Sequence, residues 1–232
     1  MKSYLVRPAL ALAVSLALAS CGGGGKETYP VNVTVNNVQY EGLILTTNGM
    51  DLPVHPPAKA GDPVVLTFPN GLDYGEYYNV VPQDGTAAGG GKEPLHQNCV
   101  TAGYPREYGT AGHTASLESA RTAAIEVFYN CSIKTHPLSG NVTGLTAGNL
   151  TLINGSNGGQ ITVAGSATAT SIPFALPAVP YGASFGITVL TQPAGFTCTV
   201  SNNGTGEMKG AKVEEEPTPV TDVAVTCVAN PT

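Results

Sequence analysis

From residue 28 onward the chain alternates apolar and polar positions in short runs. In "AAIEVFYNCS" (123–132), Ile125, Val127, Tyr129 and Cys131 fall on one side. In "VTDVAVTCVA" (220–229), Val223, Val225 and Cys227 do the same, and Ile187 alternates with Thr188 before Val189. A period of two places each named set on one face of a β-strand. Asn-Gly pairs at 48–49, 70–71, 154–155, 157–158 and 203–204 punctuate these runs. Both residues of such a pair tolerate positive φ, so each marks a tight turn. Many short strands with frequent turns predict β-sandwiches.

The pattern occurs twice. "VTVNNVQYEGLILTTNG" (33–49) has its counterpart in "GNVTGLTAGNLTLINGS" (140–156). "LTFPNGLDYGEYYNVV" (66–81) is matched by "IPFALPAVPYGASFGITV" (172–189), each with a Phe and then a Tyr-Gly pair. Each copy then has one cysteine soon after a strand, Cys99 or Cys198, and a second on its last strand, Cys131 or Cys227. Four cysteines allow three pairings. A bond within each copy is the pattern that both units can make alone, so we expect Cys99–Cys131 and Cys198–Cys227, with free buried thiols as the other reading. The inward direction of Cys131 and Cys227 suggests bridges between the two sheets of each sandwich.

The first residues follow a different pattern. Lys2 and Arg7 precede the uncharged run "ALALAVSLALA" (9–19). That run is short of the ~20 residues of a membrane-spanning helix and fits the apolar region of an export signal. Leu18-Ala19-Ser20-Cys21 follows, then four glycines. This resembles the lipobox of bacterial lipoproteins. The resemblance implies cleavage before Cys21 and attachment there of fatty acyl chains such as palmitate, and Gly22 rather than Asp implies sorting to the outer membrane. Which face of that membrane the protein occupies stays open. Export also places the other cysteines where disulfides persist.

The second copy resembles a bacterial Ig-like repeat found in tandem in exported proteobacterial proteins, through "GNLTLING", "VPYGASFGITVLTQPAGFTCTVSNNGTG" and "VTDVAVTC". The resemblance covers about residues 139–228 and implies a structural or surface module without catalytic residues. The first copy departs from it, with "DGTAAGGGKEPLHQN" (84–98) where the Gln-Pro-x-Gly approach to the cysteine is expected. With no Trp and a late first cysteine, neither copy is an antibody-type domain. The expected organisation is therefore a signal peptide (1–20), a lipidated Cys21 with a Gly-rich tether (21–28), and two tandem Ig-like β-sandwich domains (29–134 and 135–232), each with one disulfide. The fold class is all-β.

Charge narrows the partners. Without Lys2 and Arg7, eight basic residues face sixteen acidic ones, a net charge of −8. There is no basic run, so nucleic acid is not expected as a partner. Catalytic motifs are sparse. "GASFG" (182–186) matches G-x-S-x-G, but the run after Ser184 is β-type and no His lies beyond His136. A nucleophile elbow needs a strand, a strained turn and a helix. We therefore read Ser184 as a strand start, with a hydrolase as the enzyme-class alternative. His55, His96, His113 and His136 lack the local spacing of metal ligands, so they read as solvent-exposed loop histidines; a metal held by His96 and His113 is the competing idea. No cofactor and no metal is expected.

Tyrosine is distributed unevenly. Tyr29, Tyr40, Tyr74, Tyr77, Tyr78, Tyr104, Tyr108 and Tyr129 lie in the first copy, and Tyr181 alone in the second. Tyr104, Arg106 and Tyr108, in "YPREY", are the candidate contact residues for an unknown protein or glycan partner, because Tyr and Arg concentrate at interfaces. The competing use of these tyrosines is as core filling. A structural or adhesive module held on the membrane through Cys21 is the leading functional expectation, and an accessory subunit of an envelope assembly is a further one.

Overall fold

The computed structural model describes residues 27–103, 106–113, 124–156, 158–212 and 214–231. The export signal, Cys21 and Tyr104 lie outside the described residues. All regular structure among the described residues is β. The first half contains β1 (Thr28–Tyr29), β2 (Val31–Asn36), β3 (Leu43–Thr47), β4 (Met50–Val54), β5 (Val64–Thr67), β6 (Leu72–Asp73), β7 (Tyr77–Asn79), β8 (Val81–Pro82), β9 (Gln97–Thr101), β10 (Tyr108–Thr110) and β11 (Ile125–Ile133). The second half contains β12 (Thr135–Thr143), β13 (Asn149–Asn154), β14 (Gln160–Ala164), β15 (Ser171–Pro180), β16 (Ser184–Thr191), β17 (Phe196–Asn202), β18 (Thr205–Glu207) and β19 (Val220–Ala229).

The two halves are two Ig-like sandwiches of one topology. The larger sheets have strand orders β5-β2-β11-β9 and β15-β12-β19-β17, and the opposing sheets β4-β3-β8 and β14-β13-β16-β18. In both, the first long strand pairs in parallel with the last: Val31 stands opposite Ile125, and Val142 opposite Val225. All other ladders are antiparallel. Two short ribbons, β1-β6 and β7-β10, are additions of the first unit.

Each unit has its own core. One cluster of buried side chains draws on Val31, Val33, Val35, Leu43, Leu45, Val127 and Tyr129; the other draws on Val142, Leu150, Leu152, Phe174, Ile187 and Val225. The period of two produces this, because alternate residues of both sheets in a unit meet in the middle. Tyr129 is the largest of the fully buried side chains, and its hydroxyl donates to the Val80 carbonyl at 2.8 Å. Burial, with the carboxylates of Glu107 and Glu93 nearby, pushes its phenol well above the ordinary range.

Proline recurs on the edge strands of the sheets. Pro53 lies in β4, Pro82 in β8, and Pro173, Pro177 and Pro180 in β15, all of them edge strands. A residue without an N–H cannot template a further strand through that position.

The Asn-Gly pairs behave less uniformly than their sequence suggests. Among the described residues, only Asn48-Gly49 takes positive φ at both positions of such a pair (49° and 74°), closing the β3–β4 hairpin. Asn154 instead ends a strand with its side chain buried, accepting from the Gly186 N–H at 2.9 Å. Its Oδ1 is there an acceptor for a neighbouring strand, a demand that the dipeptide pattern does not reveal.

Candidate functional site

The disulfides staple adjacent strands. Cys99 is bonded to Cys131 and Cys198 to Cys227, and all four residues are buried. Cys131 stands directly opposite Cys99 in the β9–β11 ladder, and Cys198 opposite Cys227 in the β17–β19 ladder. The bridges therefore run within one sheet, not between sheets as the inward alternation suggested. Opposed residues of an antiparallel pair whose backbones do not bond each other approach most closely, so a bridge needs no crossing of the core. The Cα atoms are 4.0 Å apart in both bridges.

The backbone of each first cysteine is engaged by a side chain instead. The Cys198 N–H donates to Gln192 Oε1 at 2.8 Å, and Gln192 Nε2 donates to the Cys198 carbonyl at 2.9 Å. In the first unit the Cys99 N–H donates to Glu93 Oε1 at 2.5 Å, and Glu93 Oε2 accepts from the Gly90 N–H at 2.7 Å. Both capping residues lie six positions before the cysteine and precede a proline. The following turn is also shared: Gln97 N–H bonds the Pro94 carbonyl, and Phe196 N–H bonds that of Pro193. The first copy thus retains the Gln-Pro approach as Glu93-Pro94. The insertion 84–91 hides the correspondence in sequence. It lies along the edge of β9, where the Thr101 N–H bonds the Ala87 carbonyl.

The histidines are not a set. His96 is 1% exposed, contrary to its reading as a solvent-exposed loop residue. Its ring stacks on Tyr181 with centroids 3.5 Å apart and planes within 6°. Tyr40 meets both rings edge-on, at 5.3 Å from His96 and 5.6 Å from Tyr181. His113 packs against Tyr74 at 5.2 Å. His55 is exposed and pairs with Glu41 at 2.7 Å. His136 Nε2 lies 3.9 Å from Glu216. No group of three potential metal ligands occurs among the described residues.

The His96–Tyr181 stack joins the units, and Lys134 completes the joint. This single residue separates β11 from β12. Its N–H donates to the His96 carbonyl at 2.9 Å, and its carbonyl accepts from the Tyr181 N–H at 2.9 Å. Its Nζ donates to the Leu95 carbonyl at 2.7 Å and meets Glu216 Oε1 at 3.3 Å. Beneath it the buried Gln97 side chain accepts from the Gln39 and Tyr40 N–H groups and donates to the Asn37 carbonyl. A linker of one residue with every polar group engaged on both sides leaves little freedom for a hinge.

Ser184 is the first residue of β16, stands opposite Glu207 and is exposed, with Phe185 buried beside it. The strand continues to Thr191, so the strand–turn–helix of a nucleophile elbow is absent at this serine.

The described tyrosines divide into three groups. Tyr29, Tyr78 and Tyr129 belong to the core, Tyr40 and Tyr181 to the joint, and Tyr74, Tyr77 and Tyr108 are exposed. Arg106 Nη1 donates to Tyr108 Oη at 2.7 Å, and its guanidinium carbon lies 5.5 Å from that ring's centre.

No protein-family model matches the chain, and no curated protein is similar to it. Solved structures that align along most of it include two major pilin proteins. One is the major pilin protein T3.2 from Streptococcus pyogenes serotype GAS13637, at 11% identity and a TM-score of 0.26, covering 87% of this chain and 97% of that one. The other is the major pilin protein T-13 from Streptococcus pyogenes serotype GAS131465, at 12% identity and a TM-score of 0.26, covering 89% and 98%. Superposition at that level is loose.

Proposed function

We propose that the protein is a non-catalytic envelope lipoprotein whose two sandwiches act as one stiff structural or adhesive module, held at the outer membrane through a lipidated Cys21. The joint at Lys134 carries this reading. A chain that only needed two independent domains would be served by a flexible linker. Here one residue bonds both units through its N–H, carbonyl and ammonium, and a His96–Tyr181 stack lies beside it. Stiffness suits a part that holds something at a set distance from a surface. The lipobox resemblance supplies the surface, and the disulfide in each unit suits an oxidising compartment.

The test has two arms. Cys21→Ala should move the protein from the detergent-extracted membrane fraction to the soluble one; retention in the membrane fraction would remove the anchor. Residual dipolar couplings measured on the folded protein should fit one alignment tensor for both units. Two tensors of different magnitude would show independent tumbling and remove the stiff module.

A further inference from the structure

The chain enters the first unit beside its most exposed aromatic side chains. The Tyr74 N–H donates to the Glu27 carbonyl at 3.1 Å, and Thr28 and Tyr29 pair with Asp73 and Leu72. The Tyr29 and Tyr74 rings lie 6.2 Å apart, and the His113 ring lies 5.2 Å from that of Tyr74. From there the backbone turns into β7. The Gly75 N–H bonds the Ala111 carbonyl, and the Ala111 N–H bonds that of Glu76. Asn48 Nδ2 donates to the Tyr77 carbonyl at 2.9 Å and to Glu76 Oε1 at 2.8 Å, so the β3–β4 hairpin holds this corner. In the β7–β10 ribbon Tyr77 stands opposite Thr110, and Asn79 opposite Tyr108. Alternation places Tyr77 and Tyr108 on one face and turns Tyr78 into the core. Tyr74, Tyr77 and Tyr108 are 47%, 61% and 38% exposed, whereas the other large exposed apolar residues are scattered, Val65 on β5, Leu95 in the loop before β9, Leu190 on β16 and Val228 on β19.

We infer that this tyrosine face rests on the headgroup layer of the bilayer to which Cys21 tethers the chain; the inference depends on the lipidation proposed above. Six residue steps separate Cys21 from Glu27. A fully extended chain covers at most ~3.5 Å per residue, which holds Glu27 and its partner Tyr74 within ~20 Å of the anchor. The membrane is thus presented to this face at high effective concentration, an advantage that no free ligand shares. Tyrosine, with an apolar body and a polar tip, settles at the level of lipid headgroups. Arg106 supplies a cation for lipid phosphate, and the carboxylate of Glu76 is already met by Asn48. Strands β2 and β11 lead away from this face toward Lys134, so docking here stands the second unit away from the membrane.

The protein contains no Trp, so one substitution provides a unique probe. The lipidated full chain carrying Tyr77→Trp is placed on vesicles of phosphatidylethanolamine and phosphatidylglycerol with acyl chains brominated near the headgroup. Its emission should shift to the blue and lose intensity, while Val228→Trp in the second unit should keep the emission of exposed Trp. Flotation of the same vesicles reads the anchor separately. If the protein floats and Tyr77→Trp is neither shifted nor quenched, the anchor stands and the docking face falls. If the protein fails to float, both readings fall. A response of Tyr77→Trp to soluble glycans, with none to bromolipid, would assign the face to a glycan partner and also overturn the inference.

Discussion

Gln192 closes both backbone groups of Cys198, accepting its N–H at 2.8 Å and donating to its carbonyl at 2.9 Å. It thereby caps an edge strand at the residue that carries the disulfide. Glu93 stands in the same relation to Cys99, but as a carboxylate it accepts twice, from Cys99 and Gly90. The two residues are isosteric, and their donor patterns differ.

Exchanging them should therefore destabilise each unit. Gln192→Glu sets a carboxylate against the Cys198 carbonyl, and Glu93→Gln replaces one acceptor with a donor facing an N–H. Each is expected to cost about 1–3 kcal/mol, the range for a buried polar group left without its partner. Urea unfolding of the single variants is the check; an unchanged midpoint in both would show that the caps contribute nothing to stability.

Removing either bridge should cost about 3–4 kcal/mol in the chain-entropy model, since each closes a loop of similar length, 32 and 29 positions. Because the cores are separate, Cys198→Ala with Cys227→Ala should loosen the second unit first. Hydrogen exchange resolved by residue should show lost protection at Leu150, Leu152 and Val225 before Val33 and Val127.

Alkaline pH should weaken the fold through Tyr129. Burial raises its phenol above the usual 10.0, so the folded state holds the proton more tightly than the unfolded chain does. Both states are neutral below pH 10, and the contribution is intact there. Above that value the unfolded chain ionises first, and stability falls as pH rises toward the folded value. Tyr40 and Tyr78, raised in the same direction and chiefly by burial, add to this slope. Tyr129→Phe should flatten the slope above pH 10 while costing about 1–3 kcal/mol at neutral pH, where the Val80 carbonyl loses its donor. Chemical denaturation across that pH range reads both effects.

Tyr181→Ala removes the ring on which His96 stacks and should loosen the joint without unfolding either core. The expected result is separate alignment tensors for the two units with unchanged Cys99–Cys131 and Cys198–Cys227 bonds. Lys134→Ala should act in the same direction more weakly, because its backbone bonds to His96 and Tyr181 survive.

The sequence by itself determined the elements and their repetition. Alternation at Ile125, Val127, Tyr129 and Cys131 corresponds to one buried face of β11, and the same holds for Val223, Val225 and Cys227 in β19. That much is local, because a strand's two faces follow from its own backbone. Other relationships required the tertiary structure. Whether an inward cysteine finds its partner across the core or on the next strand depends on which strands are neighbours, and here the first long strand and the last strand of each unit pair in parallel and leave the cysteine strands side by side. Glu93 shares with Gln192 its spacing from the cysteine and the proline after it, but only the bond each makes to a backbone N–H shows that the two side chains do the same work. His96 was hidden because its neighbours are distant in sequence: it is buried where Tyr181 of the other copy stacks on its ring and Tyr40 meets it edge-on. Local pattern specifies which side of a strand is apolar; which residue waits on that side is decided by which strands become neighbours within a unit and, at the joint, by how the two units meet.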